Sequence, residues 1–249
     1  MEAYSDFASV YDTFMDETPY EAWADFLHEL LKNDGICDGI VLDLGCGTGS
    51  LTRLLAEKGY DMIGVDYSPQ MLQIAMEKED ENSSILYLLQ DMREFELYGT
   101  VAAVVSVCDS VNYMTEPEDL LEVFKLVNNY LDPKGLFIFD FNTDYKYRQV
   151  IGDAVIAENR DDCSFIWDNY YDEESRINEY DLTIFVREQE DLFRKFEEVH
   201  YQRGYTLFEM KELLAQAGLT FVQAMDSDTK GEVCDTSERI YVVARECGK

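Results

Sequence analysis

The chain has 249 residues, 47% of them hydrophobic, and carries 52 acidic against 20 basic side chains for a formal charge of −32. This excludes pervasive disorder, collagen and a small disulfide scaffold, and the length suits one large domain or one domain with a modest insertion. The excess acid and the lack of any Lys/Arg cluster disfavour nucleic acid as a partner, and solvation is sufficient reason for the acidity.

Apolar side chains at 4, 7, 8, 11, 14 and 15, and again at 23, 26, 27, 30 and 31, share one face of helical segments broken near Pro19. Trp23, Phe26 and His28 read there as packing residues. A regular alternation follows: I-V-L-D-L at 40–44, a glycine turn, a helical pattern at 50–58, M-I-G-V-D at 62–66 and a helical pattern at 69–79. The rhythm continues with I-L-Y-L-L at 85–89, V-A-A-V-V-S-V at 101–107, a helix over Pro117–Tyr130 and L-F-I-F-D-F at 136–141. Short apolar strands alternating with amphipathic helices specify a mostly parallel sheet covered on both faces.

The pattern changes after Tyr145. Residues 153–203 alternate as β segments separated by polar turns such as D-E-E-S, which predicts an antiparallel insertion at about 146–203 within a single domain of 1–249. Between 158 and 198 the chain holds 14 acidic and 5 basic residues, so one face of the insertion should be well solvated. A Thr-capped helix at 206–219 and strands at 220–225 and 239–245 then return to the main sheet. No apolar run reaches the ~18 residues of a membrane span. The acidic start M-E-A-Y-S-D-F is unlike a secretory leader. Six cysteines without C-x-x-C spacing read as reduced thiols. The expectation is a cytoplasmic protein; its oligomeric state is left open.

The segment Asp43-Leu44-Gly45-Cys46-Gly47-Thr48-Gly49-Ser50 lies where a predicted strand meets a helix. Glycines there permit a tight turn and close approach to a ligand, beside the unpaired N–H groups of a helix start. Asp66 ends the next predicted strand, 21 residues after Gly45, where a carboxylate can accept both hydroxyls of a ribose. The dinucleotide fingerprint G-x-G-x-x-G would place its third small residue at 50, which is Ser, whereas the third glycine is Gly49. A nicotinamide-dependent oxidoreductase is the rival that Asp66 allows and this register opposes. Asp43, two residues before the first glycine, sits badly beside a pyrophosphate and suits a cofactor with a cationic amino-acid end.

On these residues the chain resembles the class I S-adenosylmethionine-dependent methyltransferases, whose first motif looks like D-L-G-C-G-T-G. Further stretches, Tyr4 to Asp12, C-D-S-V-N-Y at 108–113, F-D-F-N at 139–142 and H-Y-Q-R-G-Y at 200–205, resemble small bacterial methyltransferases of the YqeM-like group. The resemblance implies a Rossmann-like α/β fold with a seven-stranded sheet whose last strand is antiparallel, and an insertion forming part of a substrate lid. It also implies that S-adenosylmethionine is held by Tyr4, Tyr11, Asp43, Gly45, Cys46, Gly47, Gly49, Asp66, Tyr67, Asp91, Met92, Cys108 and Asp109. The expected reaction is methyl transfer to N or O of a small molecule. A cofactor-binding module without transfer, and a protein or RNA methyltransferase, are the alternatives.

Methyl transfer needs alignment and exclusion of water, and a base only where the acceptor must lose a proton. His200, near Arg203 and Tyr205 at the end of a predicted insertion strand, is the candidate base. Asn112, Tyr113 and Arg203 are candidate substrate contacts, and Arg203 is suited to a carboxylate. Trp167 and Tyr171 are candidates to join Tyr113 around an acceptor, with core packing their default. Metal is left out because Asp140-Phe141-Asn142 lacks the adjacent Asp-Asn pair of the metal-assisted members.

Overall fold

The computed structural model describes residues 7–80 and 83–249. Helices α1 (Ala8–Phe14) and α2 (Tyr20–Asn33) precede β1 (Ile40–Leu44), α3 (Ser50–Glu57), β2 (Asp61–Asp66), α4 (Pro69–Glu77), β3 (Leu86–Leu89) and β4 (Val101–Ser106). A 3-10 turn at Ser110–Tyr113 leads to α5 (Pro117–Tyr130) and β5 (Leu131–Asn142). After a π-helical turn at Lys146–Ile151 come β6 (Val155–Asn159), β7 (Cys163–Asp172), β8 (Ile177–Gln189) and β9 (Leu192–Arg203). The chain ends with α6 (Leu207–Gln216), β10 (Leu219–Asp226) and β11 (Arg239–Glu246).

Seven strands form one sheet in the order β10-β11-β5-β4-β1-β2-β3. Strands β3, β2, β1, β4 and β5 pair in parallel, and β11 runs antiparallel to both β5 and β10. The chain passes outward from β1 through β2 and β3, then returns to build β4 and β5 on the other side. The carboxyl ends of β1 and β4 therefore border a topological switch point, where open α/β sheets hold their ligands. Strands β6 to β9 form a separate antiparallel sheet. The two turns at Ser110–Tyr113 and Lys146–Ile151 have no counterpart in the sequence reading, since neither is long enough to show a period.

Side-chain alternation divides the core. Leu42, Leu44, Val104, Phe137, Phe139 and Phe141 face α5 and α6, whereas Val41, Ala103, Val105 and Ile138 face α2 and α3. Asp43 shares the second face with Val41, so a carboxylate at that strand position is carried into the interior, 2% exposed. The amino end of α6 is fixed by a reciprocal capping box between Thr206 and Glu209. A third cluster joins α1 to the smaller sheet, with Val10 against Cys163, Leu182 and Ile184 and with Phe7, Phe14, Phe165 and Trp167 around them.

Candidate active site

The loop after β1 forms the floor of a cavity of about 340 Å³, inside the ~300–1,000 Å³ range of small-molecule and cofactor sites. All three of its glycines have positive φ, and at Gly45 and Gly49 a side chain would also meet its neighbours. Gly45 (φ +82°) would place a Cβ 2.7 Å from the Ser110 side chain, and Gly49 (φ +73°) would place one 2.5 Å from the Tyr87 hydroxyl. The amides of Gly45 and Cys46 both donate to the Val65 carbonyl, at 2.8 and 3.0 Å, which ties the loop to β2.

Two carboxylates stand over this floor, Asp43 buried and Asp66 half-buried. Asp66 accepts the Gly47 amide on one oxygen and the Ser68 amide on the other, each at 2.8 Å. The Tyr67 amide also favours the ionised form, and the carboxylate lines the cavity, where it can accept from a ligand hydroxyl. Asp43 accepts the Thr52 hydroxyl at 2.6 Å. Burial raises both carboxyls, Asp43 to about 7, and Asp66 adds to the rise at Asp43. No lysine or arginine counters either group. Such a pair fits a ligand bringing hydroxyls to Asp66 and a positive charge to Asp43.

The remaining wall comes from more distant elements. Tyr11, Tyr20, Tyr67, Gln90, Asp91, Met92 and Tyr113 line the same cavity. Tyr67 stands at its rim, 58% exposed. Asp91 is gripped by Arg93, whose Nη2 lies 2.6 Å away and whose Nη1 reaches Asp119 at 3.1 Å. That guanidinium holds the Asp91 carboxyl below its ordinary value. Cys108 closes one end, its sulfur 3.9 Å from the Tyr11 hydroxyl. Burial and then Asp109 push the Cys108 thiol up to about 12, so it stays protonated and is no nucleophile at neutral pH.

Cys108 and Asp109 both adopt left-handed backbone, at φ 63° and 53°, a strained state for non-glycine residues. Asp140 holds it: its carboxylate accepts the amides of Cys108 and Asp109, at 3.2 and 2.7 Å. Arg239 in turn pairs with Asp140 and Asp109.

Several expected site residues lie elsewhere. Asp109 turns its carboxylate away from the cavity toward Arg239 and the Gln202 amide. Asn112 is fully buried, accepting the Asn142 amide at 2.9 Å and donating to the carbonyls of Asn142 and Arg203 at 2.8 Å, so it clamps β5 to β9 and reaches no cavity. Arg203 donates to the carbonyls of Thr115 and Ser175 and lies over the Tyr205 ring, again away from the cavity. His200 is 2% exposed and sits one residue behind the wall: its Nδ1 lies 3.0 Å from the Tyr113 hydroxyl and its Nε2 3.2 Å from Glu198. Trp167 packs on Tyr180, and the Tyr171 hydroxyl donates to Asp144. Tyr4 falls outside the described residues.

The sequence reading missed Tyr20, Arg93, Asp119 and Thr52. Tyr20 had only a helical aromatic stripe to mark it, and Arg93 with Asp119 bridges two elements 26 residues apart. Helix α1 is also strapped to the glycine loop, because Asp12 accepts the Thr48 hydroxyl at 2.7 Å and pairs with Lys78 at 2.6 Å.

Comparison with known proteins agrees with this geometry. Residues 41–135 match the family described as Methyltransferase domain. The chain is 35% identical to the "Putative methyltransferase YqeM" of Bacillus subtilis (strain 168), over 98% of this chain and 97% of that protein. It is 30% identical to the dTDP-3-amino-3,4,6-trideoxy-alpha-D-glucopyranose N,N-dimethyltransferase of Streptomyces venezuelae, over 54% of this chain and 56% of that one. The crystal structure of an S-adenosylmethionine-dependent methyltransferase from Clostridium acetobutylicum ATCC 824 superposes with a TM-score of 0.88 at 29% identity, covering 99% of this chain and 100% of the other.

Proposed function

The chain belongs to the S-adenosylmethionine-dependent methyltransferases, and from that membership we propose that it methylates a nitrogen or oxygen of a small molecule. The observation carrying the site assignment is the pair of carboxylates, Asp43 and Asp66, that no lysine or arginine among the described residues pairs with, above a floor where Gly45 and Gly49 leave no room for a side chain. In this reading Asp66 takes the ribose hydroxyls, Asp43 faces the amino-acid ammonium, and Gln90, Asp91 and Met92 border the base. The bound cofactor supplies a methyl carbon already activated by its sulfonium. The protein's part is to align the acceptor, exclude water and take up a proton.

Proton uptake falls to a hydroxyl–imidazole–carboxylate chain. Tyr113 lines the cavity, His200 lies behind it, and Glu198 lies behind His200. With Nε2 protonated toward Glu198, Nδ1 accepts the Tyr113 proton as the Tyr113 oxygen accepts one from the acceptor, leaving an imidazolium beside the carboxylate. Tyr113 is thus the proposed catalytic residue, and His200 and Glu198 are positioning residues. A small-molecule acceptor is supported by the relative named for an amino-sugar nucleotide. The test is to incubate the protein with S-adenosylmethionine and a panel of amines and alcohols and to follow S-adenosylhomocysteine. Acceptor-dependent product supports the proposal. Product formed only with protein or RNA acceptors contradicts it.

A further inference from the structure

A second cavity, of about 660 Å³, shares the lining residue Cys108 with the first. Met15, Trp23 and Tyr241 give it apolar surface and Lys146, Lys230 and Arg239 give it positive charge, with Lys230 over the Tyr241 ring and Arg239 over that of Trp23. Three cations in one cavity stand out in a chain with 52 acidic and only 20 basic side chains. Arg239 is neutralised by Asp109 and Asp140. The two lysines form no such ion pair; the carboxylates acting on them do so from farther off, Asp109, Glu238 and Asp140 on Lys146, and Asp140, Asp228 and Asp226 on Lys230. Lys146 Nζ donates to the Asn142 side-chain oxygen at 3.0 Å, and that same oxygen accepts Arg239 Nε at 3.1 Å, so two cations converge on one neutral atom. Lys230 Nζ donates to the Ser227 carbonyl at 2.7 Å and lies 4.3 and 4.4 Å from the ring centres of Tyr241 and Phe26. Among the described residues neither lysine has a carboxylate oxygen within 4.0 Å.

Burial, and then Arg239, hold Lys146 below the ordinary lysine value. An anion beside it would relieve both costs. The acids on the wall are Glu17 and Asp228, both exposed and so screened by solvent, and the half-buried Glu238.

We propose that this second cavity receives the acceptor, with Lys146 and the rim residue Lys230 binding an anionic group on it, a carboxylate or phosphate, and with Trp23 and Tyr241 against its apolar body. The proposal rests on the methyl-transfer reading. It places the acceptor's nucleophilic atom beside Cys108, the residue common to both linings. Lysine suits this as a point charge with three donors, of which Lys146 directs one to Asn142.

The test uses the full chain carrying Trp167→Phe, so that Trp23 is its sole tryptophan and reports on the cavity. The protein is saturated with S-adenosylhomocysteine, confirmed by calorimetry, and titrated with benzoate, phenyl phosphate and the neutral benzamide. The expected result is saturable quenching by the anions, with at least one bound about 10-fold more tightly than benzamide, the size of one charge-assisted hydrogen bond. Lys146→Met should remove that preference and leave affinity for S-adenosylhomocysteine unchanged. Benzamide binding as tightly as both anions, no saturable binding by either anion, or a preference that survives Lys146→Met and Lys230→Met together, overturns the proposal. Failure of wild-type protein to bind S-adenosylhomocysteine overturns the reading beneath it, and the calorimetric step separates the two.

Discussion

The glycine-loop side of the first cavity and the side facing β9 are assembled over different lengths of chain. On the glycine-loop side the defining bonds are local: Thr52 to Asp43 spans nine residues, and the Gly47 amide to Asp66 spans 19. On the other side Tyr113 meets His200 across 87 residues, and the Phe7 amide meets Glu198 across 191. A local motif fixes its own geometry, so the ligand it holds can be read from it. A wall built by distant elements shows its chemistry only after folding, and its residues divide into those that reach the cavity and those that hold the frame.

Four substitutions or titrations would break or sharpen that division. The largest effect is expected from frame residue Asn112. Asn112→Ala strands the buried amide and carbonyl of Asn142 and should cost about 3 kcal/mol of stability, read by denaturant unfolding; unchanged stability with lost turnover would return Asn112 to the substrate side. Next comes Tyr113→Phe, expected to lower kcat about 100-fold on an acceptor that must lose a proton to react, since it removes the proton-accepting oxygen, with cofactor affinity unchanged. An unaltered kcat would remove the Tyr113–His200–Glu198 chain from the mechanism.

The third test exploits Asp43, whose carboxyl burial raises to about 7. The folded, unliganded protein holds a proton there below pH 7, so this group favours the fold at low pH and loses that contribution as pH rises through 7. A cationic ligand needs the ionised form. Affinity for S-adenosylhomocysteine should therefore rise as pH rises to 7 and level off above it, being about 10-fold weaker at pH 6. Asp43→Asn should flatten the profile, and a wild-type affinity independent of pH between 5.5 and 8 would place the ammonium elsewhere. The smallest effect is expected at the α1 strap. Asp12→Ala removes the bonds to Thr48 and Lys78 and should weaken cofactor binding about threefold, in line with the modest value of partly exposed pairs; a loss above 30-fold would make α1 part of the binding site itself.

The same contrast explains what could be read from the sequence. The parallel sheet and the insertion were legible because strands and helices carry their own period and capping signals, as at Thr206 and Glu209, whereas the antiparallel last strand followed from the family resemblance. The glycine loop with Asp43 and Asp66 was legible as well. His200, Arg203 and Asn112 were not correctly placed, because their positions depend on β9 folding back across the 3-10 turn. Arg203 had the right chemistry for a carboxylate and faces two carbonyls instead. Trp23 packs against the core as its helical stripe indicated, and it also lines the second cavity, which the stripe did not show. Asp140 was weighed only as a metal ligand, and its observed task is to hold the strained backbone of Cys108 and Asp109.

The most direct test of the central claim is calorimetric titration of the wild type and Asp66→Ala with S-adenosylhomocysteine. The site described here predicts saturable one-to-one binding by the wild type and a loss of at least about 100-fold in the variant, as expected when hydrogen bonds to a charged group are removed. A folded wild type that does not bind, or an Asp66→Ala protein that binds equally well, would contradict it.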